Sequence, residues 1–161
     1  VELSVREGGN AVCLDRIAAR DVPPGCPRRG GRQPLHATGT GKVLLAHAPR
    51  EVLEELVEAG PRRYTRQTMV EPGPLRRALA EVRRSGVAYA REELTPGSLA
   101  VAAPVVGADR TVVAALAVVV AAGRRDVGRL APAVRTAAIS TSRALQEPAG
   151  PVGVPRREAS R

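Results

Sequence analysis

The chain has 161 residues, enough for one domain with a substantial core, and a formal net charge of +9 from 25 Lys and Arg against 16 Asp and Glu. It contains no Phe or Trp and only two Tyr, so its small aliphatic core offers no aromatic platform on which bases could stack. Arginines in residues 50–63 and 75–86 alternate with glutamates. That is the pattern of a solvated helix face, not of a nucleic-acid grip.

Residues 1–18 read as two strands joined at Gly8, Gly9 and Asn10, a hairpin signal. A strand at the first residue, with no initiator methionine, is expected of a piece of a longer protein. Residues 21–33 are dense in Pro and Gly and read as a loop. A helix is expected to open over residues 42–47, and another over 50–59, ended by Gly60 and Pro61. Pro72 to Ser85 is a third helix, with Leu75, Leu79 and Val82 at helical spacing and Gly86 as its stop.

A strand over residues 86–94 is expected to run into the turn Thr95-Pro96-Gly97. Residues 98–106 are the next strand, Gly107 to Arg110 a turn, and residues 111–122 a buried strand rich in β-branched residues. The spacing of Val127, Leu130, Val134, Ala138 and Leu145 predicts a long helix over 124–146, which Pro132 either kinks or starts. The reading is one domain over residues 1–146 and a disordered tail over 147–161, rich in Pro, Gly and Arg. Strands joined by short turns pair antiparallel, so the fold class is α+β, one antiparallel sheet with helices packed on it.

The stretch HATGTGKVLLAH, residues 36–47, resembles a phosphate loop on first sight. A Walker A loop needs Gly where His36 stands and Ser or Thr where Val43 stands, and it follows a buried strand, not a Pro/Gly loop. Two readings remain open. Gly39, Thr40 and Gly41 at a helix start present unpaired N–H groups that attract an anion. Alternatively Thr38 or Thr40 caps the helix and the glycines allow tight packing.

No catalytic site composes itself. Cys13 and Cys26 lack a sequence-adjacent activating group, and there is no G-x-S-x-G elbow. His36, between Leu35 and Ala37, reads as a packed or hydrogen-bonded residue. Glu92 and Glu93, adjacent on a strand, would point to opposite faces and so not cooperate in acid–base work. The cysteines and histidines are too scattered for a metal site. No cofactor motif is found. No segment reaches the roughly 20 apolar residues that span a bilayer, and a cytoplasmic protein is expected.

In order along the chain, RQPLHATGTGKVLLAHAP, then the stretch from Tyr64 to Val105, then RTVVAALAVVV resemble the effector-binding domain of the IclR family of bacterial transcriptional regulators. The most specific residues are Pro34-Leu35-His36-Ala37 with Gly39, Gly41 and Lys42, then Gly86, Glu92-Glu93, Pro96-Gly97 and Ala102-Ala103-Pro104. The resemblance implies a GAF-like domain with a pocket between the sheet and the glycine-containing loop. It implies a homodimer or homotetramer, and a small effector, carboxylate, aromatic or otherwise partly apolar. DNA would be contacted only through a winged helix-turn-helix upstream of this chain, and no membrane is involved.

The same resemblance places the effector against Thr38, Gly39, Thr40 and Gly41, against Ala90, Ser98 and Ala100, and against Ala117 and Val119. Family members often carry Asp at the position of Ala90, an Arg-Cys pair at Leu99-Ala100, and serines at Ala117 and Val119. Their loss implies fewer directional side-chain hydrogen bonds and a ligand more apolar than a small keto acid. Two rival functions stand beside this one: a dimerisation module with a vestigial pocket, or an enzyme on the same scaffold using Cys13 or His36. Lys42, the only lysine in the chain, is left without a role.

Overall fold

A computed structural model describes residues 1–18, 24–123 and 126–147. The tail expected to be disordered, apart from Glu147, lies outside the described residues. Six strands form one sheet: β1 (Glu2–Glu7), β2 (Asn10–Arg16), β3 (Arg32–Pro34), β4 (Ala88–Arg91), β5 (Ser98–Val106) and β6 (Val112–Ala121). Their spatial order is β3-β2-β1-β6-β5-β4, and every pair is antiparallel. The last strand in the chain therefore lies in the middle. Glu2, Leu3 and Ser4 pair with Ala117, Leu116 and Ala115, which stitches the N-terminal hairpin to the β4–β6 meander.

Helices α1 (Gly39–Ala46), α2 (Arg50–Glu58) and α3 (Pro72–Ser85) gather on one face, and α4 (Ala131–Gln146) covers the other. Strand alternation builds both layers. Ala115 and Ala117 turn toward α1, while Ala114, Leu116 and Val118 turn toward α4. The fold is α+β with helices on both faces of an antiparallel sheet, as the turn lengths require.

Four boundaries differ from expectation. Strand β3 lies at the end of the expected loop. It is three residues long and includes Pro34, which an edge strand tolerates. Helix α1 begins at Gly39, three residues before Lys42. Strand β4 is shorter than its apolar stretch because Glu92 adopts φ 54°, a left-handed conformation that ends the strand. Among the described residues the closing helix proper is Ala131–Gln146, preceded by one 3₁₀ turn, Val127–Leu130, so Pro132 marks its start and does not kink it.

All eight residues of α1 are buried, because the sheet lies on one side and α3 on the other. Such a helix has no polar face, so amphipathic periodicity cannot announce it. Its first turn lies against β5: a Cβ on Gly39 would stand 3.3 Å from Ala100 Cβ and 3.4 Å from Ala102 Cβ. At Gly41 there is no room at all, with the Leu35 carbonyl oxygen 2.5 Å from where a Cβ would be.

Candidate functional site

Thr38, in extended backbone, caps α1. Its Oγ1 accepts from Gly41 N at 3.0 Å and donates to Pro34 O, also at 3.0 Å. The cap reading of Thr38 is therefore the observed one, and the Gly41 amide is already occupied. Beneath this helix start lies a cavity of about 30 Å³. That volume accommodates roughly two water-sized groups.

The cavity floor is one row across three strands. Val119 on β6 is the register partner of Ala100 on β5, which in turn faces Ala90 on β4. All three border the cavity, together with Ser98 on the floor and Thr38 and Gly39 on the roof. Six of the nine residues implied by the family resemblance thus meet in one place. Thr40, Gly41 and Ala117 do not line it. Thr40 is fully buried and donates from Oγ1 to Glu2 Oε1 at 3.3 Å, Gly41 is pressed on Leu35, and Ala117 packs under α1 within the core.

Sequence reasoning missed the polar walls. Glu2 on β1 and Glu93 just past β4 stand at opposite ends of the floor, and both border the cavity. Strand parity carried a signal for the first: Glu2 and Ser4 share the inward face of β1, opposite to Leu3 and Val5. Burial pushes the Glu2 carboxyl above its ordinary value, opposed by the Thr40 hydrogen bond. Its register partner Arg16 directs its guanidinium to Pro27 O, 3.2 Å away.

Glu93 is the partner of Lys42. The Lys42 Nζ lies 2.5 Å from Glu93 Oε1 and donates to Tyr89 O at 3.1 Å, with side chains only 1% and 5% exposed. The lone lysine is thus a buried strut between α1 and the end of β4, and its charge is not available to a ligand. Burial pulls its pKa below the ordinary lysine value, and the Glu93 carboxylate opposes this. The backbone of Glu93 is pinned as well: Thr68 Oγ1 donates to Glu93 O at 2.6 Å, and Thr65 Oγ1 donates to Glu92 O at 2.7 Å.

The two glutamates do not pair with each other. Glu92 accepts from Gly97 N at 2.8 Å and closes the Thr95-Pro96-Gly97 turn, while Glu93 points to Lys42. They diverge because the chain turns at Glu92, not because a strand alternates. His36 Nε2 lies 2.9 Å from Arg62 O, and burial lowers its pKa. Burial raises both thiols, Cys13 and Cys26, which leaves them protonated and weakly nucleophilic.

Residues 1–143 match the family described as bacterial transcriptional regulator IclR C-terminal. The chain belongs to this family. Its relatives are transcriptional regulators: the repressor AllR of Klebsiella pneumoniae is 34% identical over 119 residues, 73% of this chain and 44% of AllR. The chain thus spans about half the length of the relatives it matches. Among solved structures, an IclR homologue from Microbacterium hydrocarbonoxydans complexed with 4-hydroxybenzoate has a TM-score of 0.82 at 31% identity, covering 89% of this chain and 60% of that one. The inducer-binding domain of PobR from Acinetobacter, a double mutant in complex with 3-hydroxybenzoic acid, has a TM-score of 0.75 at 28% identity, covering 90% and 86%. No helix among the described residues is long and apolar enough to cross a membrane.

Proposed function

We propose that residues 1–146 of this IclR-type chain are a cytoplasmic effector-sensing and oligomerising domain whose ligand state sets operator binding by a winged helix-turn-helix outside this sequence. The observation that carries the reading is the cavity between the capped start of α1 and the Val119–Ala100–Ala90 row. Six residues implied by the resemblance border it, and two similar proteins have been captured with hydroxybenzoates. The effector is a small carboxylate or aromatic acid, with its apolar part on the alanine floor. At about 30 Å³ the cavity must widen to take a ring. Binding therefore favours a widened arrangement over a closed one, and that difference in affinity is what could reach DNA.

The test is a thermal-shift screen of small carboxylates and aromatic acids on the chain and on Ala90→Leu, which fills the floor. A ligand that raises the melting temperature of the chain and not of the variant is the expected result. Stabilisation retained by Ala90→Leu would place the effector elsewhere. The small volume also favours a second reading, a dimerisation module whose pocket has closed. In that case sedimentation finds a dimer while no acid stabilises it.

A further inference from the structure

The cavity has an acidic character that a plain carboxylate does not match. Two carboxyl groups border it, no Lys or Arg among the described residues does, and Lys42 behind Glu93 is buried and already bonded to Glu93 Oε1 and Tyr89 O. The charge of that pair cancels, which leaves Glu2, within the field of Arg16 and the N-terminal ammonium, as the other ionisable group on the lining. Among the described residues, a ligand bearing only negative charge meets a carboxyl group on the lining at either end of the floor.

Glu93 supplies the second observation. Its Oε2 is buried and has no hydrogen-bond partner among the described residues, although the side chain is 95% buried and borders the cavity. A buried carboxylate oxygen without a donor is a costly arrangement, and a ligand that brings a donor relieves it. Across the cavity, Gly39 is the first residue of α1, and no acceptor among the described residues takes its amide N–H. That group asks for a ligand oxygen. The floor between them is methyl groups and the Ser98 hydroxyl, which has no hydrogen-bond partner among the described residues.

We propose that the effector is a bifunctional molecule, a hydroxy acid or an amino acid in the chemical sense, whose hydroxyl or amino group donates to Glu93 Oε2 while a carboxyl or carbonyl oxygen accepts from Gly39. This deepens the effector-sensing reading above and rests on it. Glu2 then acts as a charge filter. It admits a second donor at its end of the floor and disfavours a second negative charge.

Isosteric probes decide the matter, because a hydroxyl or amino group and a methyl group occupy nearly the same space. Glycolate, glycine and propionate form a small series; 4-hydroxybenzoate, 4-aminobenzoate and 4-methylbenzoate form a larger one. Dissociation constants are measured by calorimetry or by ligand-observed NMR on the chain as it stands. In at least one series the donor-bearing member is expected to bind about tenfold or more tighter than its methyl isostere. The hydroxyl and amino arms show which donor is used. In Lys42→Met/Glu93→Leu, which replaces the buried pair by apolar groups of similar size, the preference disappears. In Glu2→Gln all the carboxylate probes tighten together and the donor preference stays.

Methyl isosteres that bind as tightly as their donor counterparts overturn the inference. If that binding is lost in Ala90→Leu, the effector pocket itself still stands. Binding by none of the six probes at millimolar concentration counts against both.

Discussion

The two ends of α1 make a pair of opposites. At its N-terminus is the cavity of about 30 Å³, bordered by Glu2 and Glu93, whose side chains are held by buried hydrogen bonds. At its C-terminus is an open cleft of about 690 Å³ lined by Arg50, Arg76, Arg83 and Arg110, with no acidic residue on its walls among the described residues. The cleft is more than twenty times larger and gathers four arginines. Yet its arginines are exposed, and solvent and salt screen what they can do. In the cavity the two carboxylates and Thr38 have been taken out of water, so their hydrogen bonds discriminate more sharply. The two ends therefore differ in kind: one is large and solvated, the other small and lined by buried carboxylates.

The difference should be visible in stability. Lys42→Ala leaves Glu93 buried without its counter-charge and is expected to cost about 3–5 kcal/mol, whereas Arg76→Ala in the cleft should stay within about 0.5 kcal/mol. Denaturant melts of the two variants measure it, and equal losses would erase the contrast. Gly41→Ala is next in size. Its Cβ would lie 2.5 Å from Leu35 O and 2.7 Å from Leu35 Cα, so either helix or loop must shift, for about 1–3 kcal/mol. The control is Gly73→Ala, where only the Arg77 side chain approaches, at 3.6 Å, and no loss is expected.

The smallest effect is in the pH profile. The folded pKa of Glu2 is raised above the ordinary 4.5, so the native state holds this proton more tightly than the unfolded chain. Stability from Glu2 is greatest below 4.5 and declines as pH rises through the folded value. Glu2→Gln removes that decline, so its melting temperature relative to the parent should increase with pH above the carboxylate range. A constant difference would mean that Glu2 is as well solvated as the cleft arginines.

The legible part of the molecule was local. Gly8-Gly9-Asn10 announced the β1–β2 hairpin, Leu75, Leu79 and Val82 announced α3, and the β5 and β6 spans followed from their apolar runs between turns. What escaped depended on distant partners. Nothing near Glu2 says that it will pair with Ala117, and nothing near Lys42 says that its counter-ion lies 51 residues on. The start of α1 stayed open between Lys42 and the Thr38 cap, because a helix buried all round lacks the polar stripe that marks an edge. At the candidate site, the backbone row and the glycine loop were readable through family resemblance. The charges were not, since Glu2 and Glu93 matter through burial, which a string of letters does not display.

Helix α1 is eight residues long, about 12 Å from end to end, and packed on every side. An object so short and so closely packed is stiff, and a displacement of either end is carried to the other. Its first turn roofs the cavity, and its last residues, Leu45 and Ala46, form a wall of the arginine cleft. Arg83 even grips the far end, through its bond to Ala46 O at 2.9 Å. The same eight residues thus border the cavity with one end and the arginine cleft with the other, so a shift of the helix as a unit would reach both.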